Sequence, residues 1–481
     1  MSVGRPGGNR ARIVLVLAAL ASTAALLAVT SPAPEDTTPT TAPATTVPAT
    51  TVAPAPTTTL PAEAAEVARG VRPVFRTDGV EGRMDTFASQ VSGAQVWDLQ
   101  VVGRTIYVAG KFTEVVQAGG SWPRRDQPFL AAFDTVTGDW VQGWRPRVDR
   151  PAYALDVLPS GAIVAAGEFT RANGAPAEGL VALDPLTGAT DGRFAAGVRR
   201  PDSSYVPVVR DLFVKGNRLY AVGHFGQVVG PDGSTFRVDK AVRFDATTGT
   251  PDPTWRPRLA GRTAYAVAVS TDNRRVHLGG EFSSVDGVRG TSQLATVSVV
   301  NGRLVPGWDH GSNAPRWPGW PVGGVVFDLD VRANSLYLAG AEHFWERRDS
   351  RTGRSIRFQR ISNDAQTVEV SGNRVYIGCH CFHRAPNRQV WELDATSGRP
   401  LPGRTGALQS GDGTWATAVA EDGCLWLGGD FMSASRVVGL GAGSWWVGRL
   451  ARLCPVGGPE AVPTPSPDPG PLNPPWWSPP S

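Results

Sequence analysis

Four groups of side chains have the residue types and spacing to do chemistry. The first is a position that recurs just before a phenylalanine, or its equivalent, and is polar or titratable in every copy: Lys111, Glu168, His224, Glu281, His343, His380 and Asp430. Brought together, this mixed charge with three imidazoles would suit a polar ligand or a metal; the plainer reading is a strand end facing water. The second group is acidic. Asp98, Asp211 and Asp328 hold the third place of a recurring strand, and Asp156, Asp330 and Glu369 the fifth. Converging carboxylates need a cation or must share protons; the alternative is that each Asp bonds neighbouring loop amides and fixes the register of the repeats. The third group is Cys379-His380-Cys381-Phe382-His383, whose Cys, Cys and His point to one side of an extended chain. It lacks the paired spacing of a structural zinc site, so a disulfide is favoured, with Cys424 joined to Cys454, Cys379 and Cys381 left as a tight or unpaired couple, and no metal expected. The fourth is Trp122 in SWPRRDQ with Trp317 and Trp320 in HGSNAPRWPGWP, tryptophans set among Gly and Pro. Such residues stack on sugar faces or partner proteins, or cap the apolar end of a sheet. No Gly-x-Ser-x-Gly, HExxH, phosphate-loop or calcium-loop motif is present, so no catalytic residue is assigned and no cofactor expected.

The elements that must position these groups come from one repeated unit, clearest in residues 264–309. It reads as a strand, a polar turn, a second strand ending Gly279-Gly280-Glu281-Phe282, a loop, a third strand, an Asn-Gly turn and a fourth segment ending at Trp308. Opening strands start near 96, 152, 209, 264, 326, 365 and 414, and carry bulky residues at every second place, as in Trp97, Leu99 and Val101. That is the period of a strand. The second strand closes on Gly-x-Phe, where Gly permits close backbone approach or a bulge and Phe fills the space between units. The third runs into Asp-x-x-Thr/Ser-Gly at Asp134, Asp184, Asp245 and Asp394, read as hairpin turns because Asp can bond the turn's own amides and Gly supplies positive φ. An aromatic follows, at Trp144, Phe194, Trp255 and Trp308. The last unit lacks this fourth segment, and residues 70–76, GVRPVFR, are expected to supply it from the front of the domain. Four-stranded units in tandem bury their faces only against each other. The expected fold is therefore all-β, a seven-bladed β-propeller over residues 70–454 closed by an N-terminal strand.

The flanks differ in composition. Arg5, Arg10 and Arg12 precede an apolar run from Ile13 to Val29, so residues 1–30 read as a signal peptide or an N-terminal membrane anchor. Residues 31–69 form a linker rich in Thr, Pro and Ala, and 455–481 a Pro-rich tail; neither has the apolar content to order itself. The net charge is +4 with pI near 9.0, but the charges are scattered, which excludes a nucleic-acid partner on this reading. Four cysteines suit a large exported domain with one or two bridges.

The succession of aromatic strand, Gly279 to Phe282, Asp245 to Gly249 and Pro253 to Trp255 resembles the delta-60-type repeats of secreted bacterial β-propeller proteins. The resemblance spans residues 70–454, closer in units one to four than in five to seven, and implies a propeller and export without an agreed activity. A looser similarity to quinoprotein-type propellers, which share Asp-x-x-Thr-Gly followed by Trp, implies common architecture and no common cofactor. The expected function is a secreted or surface-tethered monomeric binding module for an extracellular polysaccharide or protein, touching membrane only through an N-terminal anchor. The alternative is an extracellular enzyme at the channel mouth, acting on polysaccharide or using a quinone or metal, and a third class is a structural spacer. Fold alone does not choose among them.

Overall fold

The structure, a computed structural model, describes residues 94–116, 125–314, 324–361, 363–381, 389–401, 413–431 and 448–454, with short strands at 72–73, 79–81, 407–409, 433–435 and 444–446. Among them there is no helix; the chain forms small antiparallel sheets of neighbouring strands. Seven sheets follow the repeat. Their first strands are Gln95–Val102, Ala152–Val157, Val208–Lys215, Leu259–Val269, Val326–Arg332, Ala365–Ser371 and Thr414–Val419, and we number the sheets one to seven in that order. Each second strand is buried along nearly its whole length: Ile163–Gly167 is Ile-Val-Ala-Ala-Gly with no exposed residue. A strand covered on both faces reads as a continuous apolar run, not as an alternation.

What covers these strands is the next sheet. The buried apolar residues fall into clusters that each join two consecutive sheets. Phe169 of sheet two packs with Trp144 and Tyr107, Phe282 of sheet four with Trp255 and Tyr220, and Leu450 and Trp426 of sheet seven with Val96 and Phe112 of sheet one. The first strands neighbour one another in the same order, one to two through six to seven, and that of sheet seven lies against that of sheet one.

The fourth segment is slighter than the repeat suggests. Sheet five has a regular fourth strand, Ser355–Arg360. In sheets one to four and six a single bridge attaches it, such as Phe133 to Trp140 or Leu183 to Thr190. Its aromatic is nonetheless firmly placed: the indole N–H groups of Trp144, Trp255 and Trp308 donate to the carbonyls of Asp184, Ser298 and Ser350 in the following sheet, at 3.0, 3.0 and 3.2 Å. The turns behave as the sequence implies. Asp245 Oδ1 accepts from the amides of Thr247 and Thr248 at 2.9 Å, and Gly249 has φ +80°. A copy absent from the sequence reading, Asp349-Ser-Arg-Thr-Gly353, has the same bonds and a Gly at φ +76°. Sheet seven takes its fourth strand from the front: Arg72 and Pro73 pair with Cys454 and Leu453. Phe75 lies outside the described residues.

Candidate functional site

One irregularity recurs in every first strand. The pairing with the second strand slips by one residue between Val96 and Asp98, Ala152 and Ala154, Val209 and Asp211, Ala264 and Ala266, Val326 and Asp328, Ala365 and Thr367, and Thr414 and Ala416. The skipped residues are Trp97, Tyr153, Arg210, Tyr265, Phe327, Gln366 and Trp415. A bulge inserts one unpaired residue and breaks the alternation of faces. In sheet one Val96 and Leu99 are buried, while Trp97 and Asp98 between them are both partly exposed. Simple period two would bury Trp97 beside Leu99. The glycine of the second strand makes room for the bulge: a methyl group on Gly110 would sit 2.1 Å from the Gln95 carbonyl oxygen, and one on Gly223 would sit 2.1 Å from that of Val208.

Six of the bulged side chains meet as a collar, between neighbouring sheets except where Phe327 of sheet five reaches Trp415 of sheet seven; Gln366 of sheet six is buried. Trp97 stacks on Tyr153, centroids 4.4 Å apart and planes within 3°. The Arg210 guanidinium lies 4.3 Å from the Tyr153 ring and 5.6 Å from that of Tyr265. Tyr265 meets Phe327 edge-on at 5.6 Å, and Phe327 meets Trp415 at 6.3 Å.

Beside the collar stand the seven recurring polar residues, each half-buried. Lys111 pairs in register with Gln95, and His224 with Val208. They divide into two neighbourhoods. Burial raises the Glu168 carboxyl against the pull of Arg210, Arg150 and Lys111, and Glu281 accepts a 2.9 Å bond from Arg262. Burial, with Arg200, Lys240, Arg210 and Arg262 nearby, pushes the His224 imidazole down to about 4, so it is neutral at pH 7. Over sheets five to seven two imidazoles stand beside carboxylates. His343 Nε2 lies 3.8 Å from Asp364, whose carbonyl accepts from the His380 amide at 3.0 Å. The Asp430 carboxylate accepts from the Gly413 amide at 2.8 Å. His343 and His380 thus share Asp364, while His224 belongs to the basic group.

Further along the same strands lies a tier of carboxylates, each bonded to two strands. The amides of Leu99 and Leu155 donate to Asp98 at 2.7 and 2.6 Å, and those of Leu212 and Val267 to Asp211 at 2.7 Å each. Asp328 takes Leu329 at 2.7 Å and Val368 at 2.8 Å, Asp330 takes Val370 at 2.7 Å, and Asp156 takes Val157 and Val214. These are amides of the carboxylate's own strand and of the next sheet's first strand, not the loop amides anticipated. Burial pushes Asp98 and Asp156 up to about 7 and Asp330 to about 6, with neighbouring carboxylates adding to the rise at Asp98 and Asp330. Asp211, Asp328 and Glu369 are raised for the same first reason.

Both disulfides are formed, Cys379 to Cys381 and Cys424 to Cys454, which suits an oxidising, extracytoplasmic setting. Cys379 pairs with Ala365 as Gly280 does with Ala264, and buried Cys381 takes the place of Phe282. With both sulfurs bonded, neither is a thiolate ligand for a metal. His383, Trp122, Trp317 and Trp320 lie outside the described residues. The collar was not anticipated as a site; its signal was that one strand position is aromatic in five units and Arg or Gln in two.

Neither a protein-family model nor a curated protein matches the chain. Among solved structures, the computationally designed Ika8 protein is similar to it with a TM-score of 0.44 and 10% identity, covering 78% of this chain and 98% of that one, which is too loose a likeness to bear on function.

Proposed function

We propose that the chain is an exported seven-bladed β-propeller, of the kind built from delta-60-type repeats, which binds an extracellular polysaccharide or protein at the end of its axis where the bulges lie. The ring is supported by the cyclic order of the first strands. It is supported too by Arg452 of sheet seven, which donates to the carbonyls of Thr135 and Val136 in the turn that follows the third strand of sheet one. Packed in a circle, the first strands line an axial channel, which accounts for partial exposure of Asp98, Asp211 and Asp328 deep within the chain.

The observation that carries the binding reading is the collar. Five aromatic residues occupy one strand position, displaced by a bulge from the packed faces, and all keep part of their surface in contact with solvent. Aromatic faces and edges at an opening suit sugar rings, which combine apolar C–H faces with hydroxyls. An enzyme at the same place would draw on the carboxylates or the imidazoles, but the aspartates hold adjacent strands together and the imidazoles divide between two neighbourhoods. The test is binding of the full chain to a panel of immobilised extracellular polysaccharides and proteins. We expect Trp415→Ala to weaken capture by roughly tenfold, about the worth of one aromatic contact, without lowering the melting temperature by more than a few degrees. Unchanged capture by Trp415→Ala and Tyr265→Ala together would remove the collar from the binding surface.

A further inference from the structure

The geometry points to Arg210 as the recognition point for an anionic group, and so to an acidic polysaccharide as the ligand class; this rests on the binding reading above. Arg210 breaks the aromatic pattern of the collar and is held in place by it. Trp97 and the guanidinium both stack on Tyr153 within 4.4 Å, so they must take its opposite faces, and Tyr265 flanks the guanidinium at 5.6 Å. Stacking fixes the planar fork before a ligand arrives, which lowers the entropy lost on binding. Among the described residues the ion pairs of this rim join Arg199 to Glu178 and Arg262 to Glu281, and none includes Arg210, although the Glu168 carboxylate feels its charge. Its buried Nε has no hydrogen-bond partner. With Nε covered, it is through the terminal N–H groups of this partly exposed residue that the fork can take a ligand's oxyanion.

The surroundings share this sign. Lys111, Arg150, Arg200, Lys240 and Arg262 lie within electrostatic reach of His224, Glu168 or Tyr265 around Arg210, against the carboxylates of Glu168, Asp239 and Glu281. His224, held neutral there, neither adds to the cations nor opposes an anion. Over sheets five to seven the rim carries Glu342, Asp364 and Asp430 instead, with Arg360 as the cation beside Glu342. An anionic ligand is therefore drawn to sheets two to four, its charged group on Arg210 and its ring toward Tyr265. Carboxylate and phosphate offer the guanidinium the same planar pair of oxygens, so a polyuronate and a sugar-phosphate polymer both satisfy it.

The experiment is calorimetric titration of the full chain with an oligogalacturonate, a glycerol-phosphate oligomer and neutral cellohexaose, each with wild type and with Arg210→Gln. Gln366 already occupies the equivalent bulge in sheet six, so the substitution asks nothing new of the backbone. We expect at least one anionic oligomer to bind, more weakly as salt is raised, and to lose about tenfold to a hundredfold in affinity in Arg210→Gln, as befits a charge-assisted pair of hydrogen bonds. Which of the two anionic oligomers binds identifies the source of the oxyanion. Arg210→Lys should recover only part of the loss, since it restores charge without the fork. Equal affinity of wild type and Arg210→Gln for the anionic oligomers would overturn the inference. So would binding of cellohexaose alone, which would leave the binding reading standing. Failure of all three oligomers, with capture of a protein instead, would overturn the polysaccharide assignment together with it.

Discussion

At the scale of single residues, the aspartates of the first strands are the most consequential groups. Each carboxylate accepts an amide of its own strand and one of the next sheet, so a single side chain sets the relative height of two sheets. Their environment also predicts a pH dependence of stability. Burial raises Asp98 and Asp156 from the ordinary value of 3.8 to about 7. A carboxyl with a raised folded-state pKa binds its proton more tightly when folded, so its contribution is full below the unfolded value and lost as pH climbs through 7. Turn aspartates act oppositely. Asp394 is held below its usual range by the Ser397 amide and side chain, so its contribution is present above about pH 4 and lost in stronger acid. The expected outcome is a melting temperature highest in mild acid, between about pH 4 and 6, with a decline toward neutrality that Asp156→Asn makes shallower. Thermal melts across this range would count against the assignment if wild type and variant had the same slope.

At the scale of elements, the bulge and its facing glycine form one device. The extra residue turns a side chain away from the packed faces, and the strand can bend there because the facing residue has no Cβ. Adding one should be costly where the backbones touch and harmless nearby. Gly223→Ala would place a methyl group 2.1 Å from the Val208 carbonyl oxygen, whereas at Gly226 the nearest atom is 4.0 Å away. We expect Gly223→Ala to lose about 1–3 kcal/mol and Gly226→Ala to stay within about 0.5 kcal/mol of wild type, read from denaturant unfolding. Similar losses in both would mean that backbone entropy, not close approach, selects the glycine. Sheet six shows the device rebuilt: Cys379 stands at the glycine place, bonded to Cys381 at the phenylalanine place.

At the scale of the whole molecule, stability depends on where the two ends of the repeat array meet. Sheet seven combines strands from both ends of the domain, Arg72–Pro73 and Leu450–Cys454, and Cys454 is tied to Cys424 at the foot of its second strand. This bridge spans 30 residues, while Cys379–Cys381 spans two. On the chain-entropy account the longer loop restrains the unfolded chain far more. Replacing Cys424 and Cys454 by Ala should therefore cost about 2–4 kcal/mol, and the same change at Cys379 and Cys381 distinctly less. If unfolding showed the shorter bridge to matter as much, its value would lie in filling the Gly and Phe places of sheet six instead.

Much of this was legible in the sequence because it is local. Strand starts fell within a residue or so of the observed ones except in sheet four, whose first strand begins at Leu259. The Asp-Gly turns, the Gly-x-Phe endings and both cysteine pairs could be read because turn amides, positive φ and close approach are properties of a few adjacent residues. The side on which a residue stands was not legible. Period two assigns Trp97 to a packed face, and only the pairing of two strands shows the slip that moves it to the collar. Nor could the sequence tell that Asp98 bonds Leu155, 57 residues away, or that Arg210 lies on Tyr153. Such contacts exist only once separate sheets are stacked, since they join chemistry from different repeats. The sequence by itself determined the strands and their turns; tertiary packing alone decided which side chains meet, because facing and partnership depend on the neighbouring sheet.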